Sequence, residues 1–210
     1  YLDADQWLAK DHPSPRKITF QPGHRETFWY KNCVAVGVSA GFVEPLEASA
    51  LVLIEKSAEF ISNNLPQDRS AMTVVSKRFN EIISKYWTDI VDFLKLHYVL
   101  SERTDSEYWR DHKDPNSMPD SLRDSLQLWR SQVPWASDTN NRVELFSAAS
   151  VQYVLYGMGF VTEVSSRRYR QWSKDAALAE RLMRDNLGKT EMFMASQPSN
   201  RDLLNLVRRA

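Results

Sequence analysis

Two glutamates at the start of a predicted helix are the side chains best placed to do chemistry. Glu44 and Glu47 lie three residues apart, on either side of Pro45. A carboxylate can accept a proton from a reacting ring and can stabilise a positive charge that develops beside it. Acidic residues in a first turn also favour the helix dipole, and on spacing alone that structural role is the stronger interpretation of both glutamates. The pair therefore defines a candidate site whose use depends on its surroundings.

The segment before the glutamates has the composition of a cofactor-binding turn. Residues 33–38 are small and apolar, which predicts a strand buried on both faces with Cys33 in the core. Gly37 and Gly41 would let the backbone approach a ligand closely, and Gly41 could adopt a positive φ. The helix after Pro45 would present unpaired N–H groups and its positive dipole end, which suits an anion. A strand, turn and helix at the edge of an α/β sheet commonly bind a cofactor.

Most of the elements that must position these residues are predicted to be helices. Residues 17–21 and 27–30 favour strands on either side of Pro22-Gly23, which indicates a hairpin. Apolar spacing of three and four then predicts one helix from about residue 45 to 65 and a longer one from about 68 to 100. Further helices are predicted at about 106–113, 119–132, 141–158, 173–187 and 198–209, with Ser121 and Ser199 as caps. The fold class is therefore α+β and predominantly helical, with a strand-containing region over residues 1–65 and a helical region over residues 66–210.

Charge and cysteine content narrow the class of protein. The chain has 210 residues, with 27 basic and 27 acidic side chains and no net charge, so no electrostatic footprint for nucleic acid or anionic lipid is present. The sequence contains no apolar run long enough to cross a membrane. Cys33 is the only cysteine, which excludes an internal disulfide and fits a reducing, cytoplasmic location. The four histidines show no metal-ligand spacing, and the sequence leaves the oligomeric state open.

Residues 32–47 read N-C-V-A-V-G-V-S-A-G-F-V-E-P-L-E. This segment closely resembles one sequence block of a known enzyme family. In flavin-dependent tryptophan halogenases this block closes the flavin-binding domain. The resemblance continues in the same order at residues 92–98 (D-F-L-K-L-H-Y), 106–109 (S-E-Y-W) and, more weakly, 156–160 (Y-G-M-G-F). It implies that residues 1–65 are the C-terminal portion of an FAD-binding α/β domain and that residues 66–210 form a helical domain on the substrate side.

The resemblance also implies a reaction and a set of site residues. In this family FAD, reduced by a separate flavin reductase, uses O2 and a halide ion to make hypohalous acid, which halogenates an electron-rich aromatic such as an indole or phenol. Glu47 falls on the family's active-site glutamate. The halide would lie against the backbone N–H groups of Ser49 and Ala50. The positions that would line the flavin are Val38, Gly41, Phe42 and Leu51.

This sequence departs from the family pattern after the glutamate. Ala48-Ser49-Ala50 replaces the family's common Ser-Thr-Gly, which leaves the preference for chloride or bromide open. The family's G-x-G-x-x-G and G-W-x-W-x-I-P motifs and its partner lysine do not occur in the 210 residues. We therefore expect these residues alone to be inactive.

The substrate side departs from the pattern as well. Val151 and Gln152 align with a tyrosine pair that grips the amino acid in tryptophan-specific members, which predicts a different aromatic acceptor. Tyr153 and Tyr156 are candidates for stacking against that acceptor, and the alternative is that they are ordinary core aromatics. Two other functions remain open on the sequence: a flavin-dependent aromatic monooxygenase without halide chemistry, and a helical interaction module without catalytic activity.

Overall fold

A computed structural model describes residues 18–135, 145–163 and 176–209 of the chain. Within these residues the protein is mostly helical with four two-residue strands, as the sequence predicted for the fold class. The chain divides into two compact units, one of Tyr1–Ser125 with Pro134–Phe160 and one of Leu126–Val133 with Val161–Ala210. The residues on both sides of position 65 belong to the first unit, so the division into functional regions at that position stays a prediction. No helix in the described ranges combines the length and apolarity that a membrane crossing requires.

Two antiparallel strand pairs lie ahead of the first long helix. β1 (Gly23–His24) pairs with β4 (Gly41–Phe42), and β2 (Trp29–Tyr30) pairs with β3 (Cys33–Val34). The tight hairpin therefore forms at residues 29–34, where Lys31 adopts a φ of 54°, and the prediction of a hairpin around Pro22-Gly23 was wrong. A two-residue turn favours positive φ because its twist then matches that of the strands.

The prediction of a strand over residues 33–38, buried on both faces, was also wrong. Only the two residues of β3 are paired in a strand there, and Cys33 is exposed. The chain then turns through a 3₁₀ segment at Gly37–Ser39, where Gly37 has a φ of 63°. The Ser39 hydroxyl bonds both the N–H and the carbonyl of Val36, at 3.0 and 2.8 Å. These local side-chain bonds replace the ladder that small apolar residues would otherwise favour.

The helices are numbered here in chain order, and each predicted helix has a counterpart among the described residues. They are α1 (Ser49–Asn64), α2 (Arg69–Leu100), α3 (Glu107–Asp111), α4 (Asp120–Trp129), α5 (Ala148–Gly157), α6 (Ala176–Ser196) and α7 (Asn200–Val207). α6 continues through Gly188 beyond its predicted end, since one glycine weakens a helix by about 1 kcal/mol without ending it. Ser199 caps α7 as predicted, whereas Ser121 is the second residue of α4 and does not cap it.

α2 is the element around which the first unit is built. Asp68 caps its start by accepting from the N–H groups of Ser70 and Ala71, at 2.8 and 3.0 Å. Most of the predicted apolar stripe is buried, with Val75 and Ile82 partly buried, and it packs against α1 and β2. The shared core contains Phe28, Trp29, Ala40, Leu53, Phe79, Ile83, Tyr86, Trp87, Ile90 and Leu94.

Asn80 fixes the strands to this helix. Its side-chain oxygen accepts from the N–H groups of Phe28 and Trp29, at 2.9 and 2.8 Å, and its amide donates to the Trp29 carbonyl at 3.0 Å. Phe28 and Trp29 are buried, so water could not reach their backbone groups to form these hydrogen bonds in place of Asn80. One polar side chain on α2 therefore sets where β2 begins.

Candidate active site

The turn that carries Glu47 has a strained backbone. Glu47 has φ 68° and ψ 0°, and Ala48 has φ 50° and ψ 29°, so two successive residues with side chains lie in the left-handed region. Each such residue costs roughly 1–3 kcal/mol and persists only where its surroundings hold it. These two residues separate the 3₁₀ turn Leu46–Ala48 from the regular helix α1.

The C-terminal end of α2 holds this turn through two neighbouring residues. Nε2 of His97 lies 3.2 Å from Oε1 of Glu47. The Tyr98 hydroxyl donates to Oε1 of Glu44 at 2.8 Å. Burial, together with the bonds to Tyr108 and Glu44, raises the pKa of Tyr98 far above its ordinary value, so its hydroxyl remains a donor at every physiological pH. Both glutamates singled out from the sequence are thus positioned by side chains from one helix end.

The pair formed by Glu47 and His97 is partly exposed to solvent. The His97 side chain is 19% exposed and that of Glu47 is 36% exposed. The second ring nitrogen of His97, Nδ1, lies 2.7 Å from the Phe93 carbonyl oxygen. In the part of the chain that the structure describes, nothing bonds to Oε2 of Glu47. One carboxylate oxygen is therefore held while the other can meet a reacting group.

A polar cluster of Lys95, His112 and Ser117 packs against Tyr98. Lys95 is almost fully buried and donates to Nδ1 of His112 and to the Ser117 hydroxyl, both at 2.9 Å. His112 stacks on Tyr98 with ring centroids 4.3 Å apart. Burial lowers the pKa of Lys95, and burial with the Lys95 charge lowers the pKa of His112, so that ring is neutral and accepts through Nδ1. The cluster connects α2 to α3 and to the 3₁₀ turn Pro115–Ser117.

Three of the four residues expected to line the flavin present apolar side chains at the surface. Val38 is 79% exposed, Leu51 is 74% exposed and Phe42 is partly exposed. Exposed apolar side chains on three elements (the 3₁₀ segment Gly37–Ser39, β4 and α1) suit the flat apolar ring system of a flavin, so the residues present fit this part of the cofactor.

Gly41, the fourth of these residues, lies where the chain packs tightly. Gly41 does not adopt the positive φ that the sequence suggested for it, whereas Gly37 has a positive φ. A Cβ on Gly41 would lie 2.6 Å from Cζ2 of Trp87 and 2.7 Å from Cβ of His24. The absence of a side chain at Gly41 therefore permits packing of β4 against β1 and α2.

The expected halide position lies at the start of α1. Ser49 and Ala50 are its first two residues, and Ser49 is buried. The residue before them, Ala48, has no side chain that could cap the helix. A helix start without a side-chain cap retains amide groups for an anion. Among the described residues no cluster of His, Cys, Asp and Glu could hold a metal ion.

The residues expected at the substrate side lie on α5. Tyr153 is 84% exposed and Tyr156 is partly exposed. Val151 is buried in the core, and the side-chain amide of Gln152 donates to the Pro134 carbonyl at 2.7 Å. Val151 has no polar side-chain atom, and the side chain of Gln152 is a neutral amide with one N–H already bonded to Pro134.

His97 and Tyr98 are the functional residues that sequence reasoning missed. His97 makes a local contact within α2 through the bond of its Nδ1 to the Phe93 carbonyl. Its contact with Glu47 joins residues 50 positions apart, which helical spacing cannot indicate. The sequence signal for both residues was the resemblance of residues 92–98, which include them, to the halogenase pattern.

Known proteins resemble this chain over nearly its whole length. The family profile described as tryptophan halogenase matches residues 3–174. Tryptophan 6-halogenase ThaL from Streptomyces albogriseolus is 29% identical over 94% of this chain and 39% of its own length. The crystal structure of tryptophan halogenase from Shewanella frigidimarina is 44% identical, with a TM-score of 0.85 over 97% of this chain and 39% of that one. The flavin-dependent halogenase BrvH from Brevundimonas is 31% identical, with a TM-score of 0.78 over 97% of this chain and 42% of that one.

The chain thus spans about two fifths of the length of these relatives. The match includes Glu47, the strained turn that carries it and the end of α2 that holds it. The similar proteins are named as halogenases in both the sequence and the structural comparisons. The chain belongs to the tryptophan halogenase family.

Proposed function

We propose that this chain carries the substrate-side catalytic carboxylate of an FADH2-dependent halogenase, and that Glu47 is that carboxylate. The observation that carries the proposal is the geometry of Glu47: a strained backbone, one oxygen held by His97 and the other without a partner among the described residues. Strained residues cluster at active sites because the surroundings hold a side chain in a position that relaxed backbone would not reach.

In the proposed reaction Glu47 acts on the aromatic substrate. Attack by an electrophilic halogen places positive charge on the ring, which a carboxylate nearby stabilises. The ring then loses its proton to Oε2 of Glu47, and the electrons of the broken C–H bond restore aromaticity. Since Oε1 is held by His97, the carboxylate needs little reordering when the charge develops.

Val38, Phe42 and Leu51 would hold the flavin ring, and the β4 backbone at Gly41 would lie beside them. When bound, reduced FAD supplies hypohalous acid from O2 and a halide. The halide would be held by the N–H groups of Ser49 and Ala50 at the start of α1, because their helix has no side-chain cap.

The proposed substrate is an indole or phenol other than free tryptophan. Val151 is buried and apolar, and Gln152 offers only a neutral amide with one N–H bonded to Pro134, so neither supplies a charged partner for the ends of an amino acid. Tyr153 offers an exposed ring on the same helix against which an aromatic acceptor could stack, with Tyr156 one turn away. Tryptophan, which names several of the relatives, is the competing substrate.

A product assay separates this function from its two rivals. Full-length protein is supplied with FAD, a flavin reductase, bromide and a panel of indoles and phenols, and products are identified by mass spectrometry. We expect brominated products that disappear when bromide is left out. Hydroxylated products with or without bromide would instead favour the monooxygenase, and no turnover with any acceptor would favour a non-catalytic module.

A further inference from the structure

The turn that carries Glu47 receives little support from the packing of its own residues. Pro45, Leu46, Glu47 and Ala48 are all exposed, and two of them have left-handed backbone. Within the turn the N–H of Ala48 donates to the Pro45 carbonyl at 3.0 Å. A strained conformation persists only where its surroundings hold it. The support for this turn therefore has to come from the contacts that its side chains make with other elements.

The hydrogen bond between Tyr98 and Glu44 is such a contact. The Tyr98 hydroxyl donates to Oε1 of Glu44 at 2.8 Å in a partly buried environment. The two residues are 54 positions apart, so the bond ties the residue just before Pro45 to the C-terminal end of α2. Partial burial limits the competition from water, and because burial raises the pKa of Tyr98 its hydroxyl stays a donor.

The ring of Tyr98 is itself held by α3 and the residue that follows it. His112 stacks on the ring with centroids 4.3 Å apart, and Tyr108 meets it edge-on at 5.9 Å. Trp109 packs at a tilt with a centroid distance of 5.7 Å. Lys95 in turn fixes the His112 ring through a contact of 2.9 Å with Nδ1. A ring enclosed in this way has little freedom to move its hydroxyl away from Glu44.

We propose that Tyr98 and Glu44 are positioning residues whose hydrogen bond holds the strained turn, so that the turn presents Glu47 to the reacting aromatic ring. Glu44 serves as a hydrogen-bond acceptor and takes no part in the chemistry. The effect on catalysis rests on the proposed halogenase function, whereas the hold on the turn does not. The proposal also gives a role to residues 106–109, which resemble the halogenase pattern and which the proposed reaction does not otherwise use.

Amide hydrogen exchange in the full-length protein tests the hold on the turn. Tyr98→Phe removes only the hydroxyl, and we expect the Ala48 amide to exchange about tenfold faster or more, while amides of residues 53–60 within α1 keep their wild-type rates. Tyr86→Phe is the matched control, because it removes a hydroxyl from the same helix about 18 Å before Tyr98. It should leave the exchange of Ala48 unchanged. Wild-type exchange of Ala48 in Tyr98→Phe would overturn the proposal.

Kinetics test the positioning role of Tyr98. Tyr98→Phe should lower kcat for the halogenated product by about 10–100-fold, because a small displacement of a catalytic group has an effect of that size. KM for the aromatic should stay within about twofold, since the bond acts on the turn and not on the aromatic. Tyr86→Phe should keep the wild-type kcat. A wild-type kcat in Tyr98→Phe, or a rise in KM with kcat unchanged, would refute the positioning role.

Variants of Glu44 test whether it acts as an acceptor. Glu44→Ala should cause the same loss as Tyr98→Phe, and the double variant should lose no more than either single one, because both remove the same bond. Glu44→Gln keeps a side-chain oxygen that can accept from Tyr98 and should recover most of the loss. A loss in Glu44→Gln as large as that in Glu47→Gln would show that Glu44 takes part in the reaction itself. If the wild-type protein makes no halogenated product, the proposed function fails, and hydrogen exchange still decides whether Tyr98 holds the turn.

Discussion

At Glu47 and Ala48 the backbone adopts a left-handed conformation that the residue types do not predict. Neither glutamate nor alanine favours the left-handed region, and Pro45-Leu46-Glu47-Ala48 has the composition of an ordinary first helical turn. The resemblance to the halogenase pattern located Glu47, but it could not indicate the strain or the His97 contact. Both depend on α2, which lies far along the sequence.

Replacing Ala48 with glycine should release part of this strain. Ala48 has a φ of 50°, and glycine has no Cβ to oppose it, so we expect Ala48→Gly to raise the free energy of unfolding by about 1 kcal/mol. Ala58→Gly, at an exposed position inside α1, is the matched control and should lower it by about 1 kcal/mol. Urea unfolding of the full-length protein measures both. A loss of stability in Ala48→Gly would mean that the turn is not strained.

Among the elements, the helices could be predicted and the strands could not. The stripe from Phe79 to Phe93 has a clear helical period over many turns, and α2 follows it closely. Each strand has two residues, which is too short for any period, and β1 pairs with β4 across sixteen intervening positions of the chain. Tertiary bonds such as those of Asn80 determine where these strands lie.

Gly41 tests whether this part of the structure depends on packing. An added Cβ would lie within 2.8 Å of Trp87 and His24 atoms, and one of its contacts is with the His24 backbone, so we expect Gly41→Ala to lower the free energy of unfolding by about 1–3 kcal/mol. Gly157→Ala is the matched control, because nothing lies within 4 Å of the Cβ it would add. The unfolding midpoints are compared without added flavin. If the two variants are equally stable, Gly41 does not pack as described.

The whole molecule brings together sequence blocks that are far apart in the chain. Residues 32–47 supply the turn and residues 92–98 the helix end that holds it, and each of these blocks alone resembles the halogenase pattern. The resemblance could therefore indicate the family and the glutamate. It could not show that the Gln152 side chain donates a hydrogen bond to the Pro134 carbonyl, because that bond depends on how α5 packs in the fold.

Substrate choice is a prediction about the whole protein. Val151 is buried and apolar, and Gln152 offers only a neutral amide. The charged ends of tryptophan would therefore lose water without gaining charged partners at these residues, so we expect indole to be halogenated with a higher kcat/KM. Sites that bind such polar groups discriminate by up to about 10⁴–10⁵-fold, so a missing pair of partners should be visible. Equal indole and L-tryptophan compete in one reaction, and mass spectrometry compares the products. A clear preference for tryptophan would show that the acceptor site lies elsewhere than these residues suggest.

Glu47→Gln in the full-length enzyme tests the central claim most directly when two quantities are followed together. One is hypohalous acid, captured by a chemical trap in the absence of substrate, and the other is halogenated product. Because Glu47 acts on the substrate ring, we expect product formation to fall by about 10²-fold or more while trapped hypohalous acid stays at the wild-type level. Glu81→Gln, at an exposed carboxylate on α2, serves as the control and should change neither. Wild-type rates of product formation in Glu47→Gln would contradict the assignment of Glu47 as the catalytic carboxylate.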